Sequence, residues 1–319
     1  MELPVKKFAS ILLGLALAPL AGVALAAQPL LSPQELQARL SDPNVRVIDI
    51  REPAAYAASH IPGALSAPYA QWRGPATNPG ELPHLPKLTT LVQSLGLTPA
   101  THAVVVSSGA DATDFGAAAR VYWTLKVLGL KELSVLNGGV KAWADAKLPQ
   151  NDRPVTVAAS TFQPKLDMSQ IATTDEVVKR VKSGDAVLID ARPAAFYEGQ
   201  TKAPAAKAAG TLPGAVNVQH DKWFTPGSSV FVSADQARAI ASSSKIDPAK
   251  ETVSFCNTGH WAATNWFAMS EVLGQKNVKL YAASMVEWSQ DANLPMANAP
   301  SRAQQLMQDA KGWVNKVLN

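Results

Sequence analysis

The sequence predicts an α/β protein made of two tandem units, each a mainly parallel sheet flanked by helices. Three observations carry this. A series of motifs recurs in the same order at offsets of 141 to 151 residues; within each copy, short apolar runs alternate with helical patterns; and a proline-rich stretch separates the copies. Ordered anchors at nearly constant offset signify a duplication. Strands alternating with helices favour parallel sheets covered by helices, with ligands beyond the carboxyl ends of the strands.

The elements follow in order. Lys6 and Lys7 precede an apolar stretch from Phe8 to Leu25 that ends in Ala24-Leu25-Ala26. This reads as a signal peptide over residues 1–26, cut after Ala26, with a bacterial periplasm as the expected destination. Gly14, Pro19 and Gly22 interrupt the stretch, which argues against a membrane anchor, and no later segment approaches ~20 uninterrupted apolar residues.

The first unit, residues 27–148, opens with Ser32-Pro33-Gln34-Glu35, a capping box with Pro at the first helical position. A strand ending in Asp49-Ile50-Arg51 follows, then the turn at Pro62-Gly63 and a second helix. The apolar run Ala103–Val106 is the next strand, and the offset to its later counterpart shrinks from 149 to 145, so four extra residues are expected in the loop after Ser107. Leu133–Leu136 and a helix containing Trp143 complete the unit. Pro149, Pro154 and Pro164 mark a linker over residues 149–168.

The second unit, residues 169–297, repeats the scheme. Thr173-Thr174-Asp175-Glu176 is the capping box, Asp190-Ala191-Arg192 ends the first strand, and Leu212-Pro213-Gly214 is the turn. About ten residues rich in Ala and Lys are inserted between Gly199 and Gly210. Thr252–Phe255 is the central strand, and Ala262, Trp266, Met269 and Leu273 fall on one face of the helix after it. Val278–Tyr281 and a Trp288 helix close the copy. Beyond it, residues 298–319 place Leu306, Ala310, Trp313 and Val317 along one side of a terminal amphipathic helix.

Composition narrows the function. Hydrophobic residues make up 47% and charged residues 17%, and the net charge of +4 is scattered without a basic strip, which excludes nucleic acid as a partner. Five dispersed histidines with no His-x-x-x-His or Cys-x-x-Cys spacing exclude a metal site, and no cofactor is expected.

Cys256 is the only cysteine of the chain. It follows the run Val253-Ser254-Phe255 and opens the loop Asn257-Thr258-Gly259-His260-Trp261, after which a helix begins. A thiol there is presented to amides and a helix N-terminus, both of which favour the thiolate. In an oxidising compartment it has no partner for an internal disulfide.

Ile-Asp-Ala-Arg, then Leu-Pro-Gly-Ala-Val-Asn, then Phe-Cys-Asn-Thr-Gly, together and in this order, resemble the rhodanese family of sulfurtransferases in its tandem form. The resemblance spans residues 32 to 296. It implies two rhodanese-like domains, of which the second is catalytic. It also implies a Cys256 persulfide that takes sulfane sulfur from a small anionic donor such as thiosulfate and gives it to a thiol or to cyanide. Arg192 matches an arginine that meets the donor at the site's rim. Asn257, Thr258, Gly259, His260 and Trp261 supply the loop amides, and His260 is either an imidazolium partner of the thiol or a hydrogen-bonding strut of the loop. The loop lacks the Lys or Arg that many members carry. Phe196 and Tyr197 stand where members that favour mercaptopyruvate often carry a second arginine, which points to thiosulfate; Lys202 and Lys207 are the reserve cations. Mercaptopyruvate as donor, or a persulfide carrier of low turnover, are the alternatives. In the first unit Ser107 faces Cys256 at the 149-residue offset, and a hydroxyl cannot run this chemistry.

Overall fold

The computed structural model describes residues 27–244, 246–301 and 304. The signal segment and the residues Leu306 to Val317 of the expected terminal helix lie outside the described residues.

The first domain carries strands β1 (Leu30–Leu31), β2 (Val45–Asp49), β3 (Leu65–Ser66), β4 (His102–Val106) and β5 (Leu133–Leu136). They form one sheet in the order β1-β5-β4-β2-β3, with every pairing parallel. Its helices are α1 (Pro33–Gln37), α2 (Pro53–Ala58), α3 (Leu85–Ser94), α4 (Ala112–Val127) and α5 (Gly139–Asp145). In the second domain β6 (Val187–Asp190), β7 (Val216–Asn217), β8 (Thr252–Phe255) and β9 (Val278–Leu280) pair in the order β7-β6-β8-β9, again parallel throughout. Helices α6 (Thr174–Ser183), α7 (Ala194–Tyr197), α8 (Ala234–Ser243), α9 (Trp261–Phe267) and α10 (Ser284–Trp288) complete it. The fifth strand of the first sheet has only a single bridge, Ile171 to Leu280, as its counterpart. The two α/β units are those the sequence predicts.

The duplication extends to side chains. Both capping boxes form, at Ser32 with Glu35 and at Thr173 with Glu176. The Tyr56 hydroxyl donates to Ala64 O at 2.7 Å and the Tyr197 hydroxyl to Ala215 O at 2.9 Å. Trp143 and Trp288 each donate their indole N–H to a carbonyl of the chain leaving the domain, Pro149 O and Pro295 O. Such satisfied polar tips let large aromatic bodies be buried without loss.

The expectation of a longer loop after Ser107 is corrected. Helix α4 begins at Ala112 and α9 at Trp261, so the two loops have equal length. The four additional residues lie inside α4, about one further turn, which leaves the buried face in phase. In the second copy the helix instead widens into a π-turn over Ala268–Val272.

Helices α4 and α9 pack on each other across the domain boundary. Phe115 meets Phe224, Phe231 and Phe267 with ring centroids 5.1 to 5.5 Å apart. Tyr122 packs edge-on against Phe267, and Lys126 pairs with Glu271 at 2.7 Å. One hydrophobic cluster thus runs through both domains. The inserted segment between Gly199 and Gly210 forms neither helix nor strand, and its Ala203 and Ala206 pack on Val286. No helix among the described residues is long and apolar enough to cross a membrane.

Candidate active site

Cys256 sits immediately beyond β8, the strand flanked by β6 and β9 in the second sheet. Parallel strands deliver their C-terminal residues to one edge of the sheet, and the loop after a central strand opens there. Its amide donates to the Ser284 hydroxyl at 3.0 Å, and Ser284 donates on to Tyr281 O at 2.7 Å. The amides of Met285 and Val286 hold Cys256 O and Asn257 O at 3.1 and 3.0 Å. The loop is therefore pinned from α10, and the cysteine is 1% exposed. A cavity of about 270 Å³ opens on it, lined by Thr113, Asn257, Thr258, His260 and Trp261.

The two copies of this loop differ in what their amides do. In the first domain Gly109 N–H donates to the Asp114 carboxylate at 2.6 Å, so that loop already holds an anion of its own. In the second, among the described residues, the amides of Asn257, Thr258 and Gly259 donate to no protein acceptor. Loop amides without a protein acceptor are available to an external anion.

Arg192 is not at the rim. It is 2% exposed, with Nε and Nη2 on the Asp190 carboxylate and Nη2 also on Gly210 O at 2.7 Å. Arg51 makes the same contacts with Asp49 and Ser59 O in the copy that has no thiol. The shared arrangement is structural; Arg192 adds only an Nη1 bond of 3.2 Å to Asn257 Oδ1, by which it steadies the loop. The guanidinium is turned to Asp190, Gly210 O and Asn257, with one face on the Phe196 ring, and it does not line the cavity at Cys256.

His260 bridges the domains. The Tyr69 hydroxyl lies 2.9 Å from its Nδ1, and its Nε2 lies 2.6 Å from Thr113 O. A carbonyl accepts only, so Nε2 carries the proton and Nδ1 accepts from Tyr69. Burial between the domains, and then the charge of Arg73, hold its pKa down to about 4. At neutral pH the ring is neutral, so it acts as a strut and not as an imidazolium. Gly116 on α4 makes this approach possible: a Cβ there would lie 2.9 Å from His260 Cδ2.

Trp261 stacks on His220 at 4.8 Å and donates Nε1–H to Thr113 Oγ1 at 3.2 Å. Phe196 meets it edge-on at 6.0 Å and lies under the Arg192 guanidinium. Trp223 and Trp266 are core residues. Lys202 turns to Ala206 O, and neither it nor Lys207 lines the cavity. Among the described residues no cluster of three His, Cys, Asp or Glu is placed to hold a metal ion.

A family model for the rhodanese-like domain matches the chain twice, over residues 32–146 and 173–291. The chain belongs to the rhodanese family. A thiosulfate sulfurtransferase of Pseudomonas aeruginosa is 33% identical to this rhodanese over 270 residues, covering 83% of this chain and 96% of the relative. A probable 3-mercaptopyruvate sulfurtransferase of the same organism is 30% identical over 291 residues, with 84% and 97% covered. The crystal structure of the Escherichia coli 3-mercaptopyruvate sulfotransferase SseA superposes with a TM-score of 0.70 at 24% identity, over 81% of this chain and 99% of that one, a likeness of fold. The chain is thus a sulfurtransferase by descent, with relatives of both donor classes.

Sequence reasoning missed what the first domain brings to this rhodanese's site. Tyr69, Arg73 and Thr113 reach the loop from a 3₁₀ turn and from α4, and Arg73 Nη1 donates to the Tyr69 hydroxyl at 3.0 Å. Arg120 lies behind the loop. One signal was available: Arg120 interrupts the otherwise uncharged run Phe115–Leu125, and a lone charge on a buried helix needs a reason.

Proposed function

We propose that the protein transfers sulfane sulfur from thiosulfate through a Cys256 persulfide. The observation that carries this reading is the single thiol at the end of β8, lining a small cavity and followed by a loop whose amides have no acceptor among the described residues. In the first half-reaction the Cys256 thiolate attacks the outer sulfur of thiosulfate. The Cys S–S bond forms, the S–S bond of the donor breaks, and sulfite leaves with the electron pair. In the second, cyanide or a thiolate attacks the terminal persulfide sulfur and leaves as thiocyanate or as a new persulfide, which restores the Cys256 thiolate. The amides of Asn257 to Gly259 stabilise the charge on the terminal sulfur.

Thiosulfate is preferred over mercaptopyruvate on physical grounds. The donor carboxylate of mercaptopyruvate needs a second fixed cation, and neither Trp261, which lines the cavity, nor Phe196, which meets it edge-on, supplies one. Loss of one charge-assisted contact is worth about 1.5–3 kcal/mol, or roughly tenfold to a hundredfold in specificity. With Cys256 1% exposed, a small anion fits the approach better than a macromolecular acceptor, which speaks against a carrier of low turnover. The segment ending at Ala26 supports export to the periplasm, where a mature chain would begin at Ala27.

The test is mass spectrometry after thiosulfate treatment, followed by cyanolysis. A gain of about 32 Da on the Cys256 peptide, catalytic thiocyanate release, and loss of both in Cys256→Ser are expected of a ping-pong enzyme. Turnover retained in Cys256→Ser, or a specificity constant higher for mercaptopyruvate, would overturn the mechanism or the donor respectively.

A further inference from the structure

Resting on the reading of Cys256 as the sulfur-carrying nucleophile, we propose that Arg120 of the first domain is the internal counter-ion of the Cys256 sulfur anion. It supplies the positive charge that the loop from Cys256 to Trp261 does not contain.

Arg120 is isolated from other charges that could pair with it among the described residues. Arg120 is fully buried on α4, and only Nη2 is engaged, to Gly80 O at 2.9 Å. Nε and Nη1 have no hydrogen-bond partner. Among the described residues no carboxylate lies within ion-pair distance of it, whereas Arg51, Arg180 and Arg192 each hold one. A cation taken out of water is tolerated only when an opposite charge compensates it. The face of Trp123, 4.9 Å from the guanidinium carbon, softens that cost without supplying an anion.

The unpaired end of Arg120 is turned to the Cys256 loop. A Cβ built on Gly259 would lie 2.4 Å from Arg120 Nη1, so the unpaired end of the guanidinium abuts the loop backbone from behind. Gly80, whose carbonyl holds Nη2, has its own Cα face against Thr258 Cα and Ala282 O. Two glycines therefore bring the guanidinium up to the loop, and a side chain at either would push it away.

Few other acidic groups act on Arg120. Tyr69 and Cys256 are the acidic groups that act on Arg120, and Arg73 repels it. Burial pushes the Tyr69 hydroxyl up, which leaves it a neutral phenol. The same burial and Arg73 lower Arg120 to about 9, so it stays charged at neutral pH. The sulfur of Cys256, as thiolate before the first half-reaction and as persulfide after it, is the remaining negative charge.

The test measures the ionisation of Cys256 in the full-length protein without any sulfur donor, from the pH dependence of its alkylation by iodoacetamide. The other groups facing the loop are Tyr69, Arg73, His260, His220 behind Trp261, the closed Asp190–Arg192 pair, and Glu287, bound to Asn78 and Thr174. All are retained in the variants compared. Arg120→Met is expected to raise the midpoint by about 1–2 pH units, and Arg120→Lys, which keeps the charge, by less than half of that. A folded Arg120→Met with an unmoved midpoint, or Met and Lys variants with equal shifts, would overturn the proposal.

A second comparison leaves Arg120 in place. Cys256→Asp puts a fixed charge of the same sign near the sulfur, and Cys256→Asn is its neutral isostere. With a counter-ion behind the loop, the Asp variant melts at or above the Asn variant at pH 7; an Asp variant that melts lower sinks the idea. Neither measurement depends on sulfur transfer, so a protein inert towards thiosulfate would fail the earlier reading and leave this one standing.

Discussion

Arg192 and Arg120 are both buried arginines beside one loop, and their partners give them opposite work. Arg192 is closed by Asp190, Thr211 adds a hydroxyl to the same carboxylate at 2.8 Å, and the guanidinium is buried away from the residues that line the cavity. Breaking a buried pair leaves the other charge uncompensated, so Arg192→Ala is expected to cost about 3–5 kcal/mol in urea unfolding. Arg51→Ala, whose side chain is 11% exposed where that of Arg192 is 2%, is expected to cost less. In the folded fraction of Arg192→Ala the Michaelis constant for thiosulfate should shift only modestly, through Asn257. Gly259 is the other decisive residue. Its φ of +68° and the approach of Ala282 O, 2.4 Å from a would-be Cβ, leave no room for a side chain. Gly259→Ala is expected to lower stability by about 1–3 kcal/mol and to abolish most turnover, checked by melting and by a thiocyanate assay on the same sample.

At the scale of elements, the alternation of apolar runs and helical patterns was readable because each depends on neighbours a few residues away. Capping boxes, strand cores and the Pro-Gly turns are local chemistry, and they stand where the sequence puts them. The four additional residues of the first copy were misplaced because an offset counts residues without saying which element takes them; a whole turn is absorbed by a helix without disturbing its face. Cys256 was legible as the only thiol at the end of an apolar run. Arg120, Tyr69 and Thr113 were not, since their role comes from α4 lying on α9, a contact between residues more than a hundred positions apart. That contact is centred on Phe115, whose ring touches three others from the second domain. Phe115→Ala is expected to destabilise the protein by about 3–5 kcal/mol, measured by denaturant unfolding, with the cavity left at the domain boundary.

For the molecule as a whole, the first domain, which carries no thiol, is part of the candidate site, since its Thr113, Tyr69 and Arg73 fix the loop through His260 and Trp261. This arrangement has a consequence in acid. His260 has a pKa of about 4 in the fold against 6.5 for the free side chain. The unfolded chain therefore takes up the proton first as pH falls. The associated stability is fully present above about pH 6.5 and declines by roughly 1.4 kcal/mol per unit down to about pH 4. Burial lowers His220 and His102 too, so they act in the same direction. The lowered carboxylates Glu35 and Glu176 begin to matter only as pH falls through their ordinary range near 4.5, which separates the two effects. Urea unfolding at pH 7.5, 6.5 and 5 should show a steeper loss in the parent protein than in His260→Asn, which keeps a polar group at the domain boundary without a proton to gain. Equal slopes in the two proteins would mean that His260 takes up its proton at the same pH in the fold as in the unfolded chain, and a shallower loss in the parent that the ring is already charged in the fold; either would require the strut between Tyr69 and Thr113 to be redrawn.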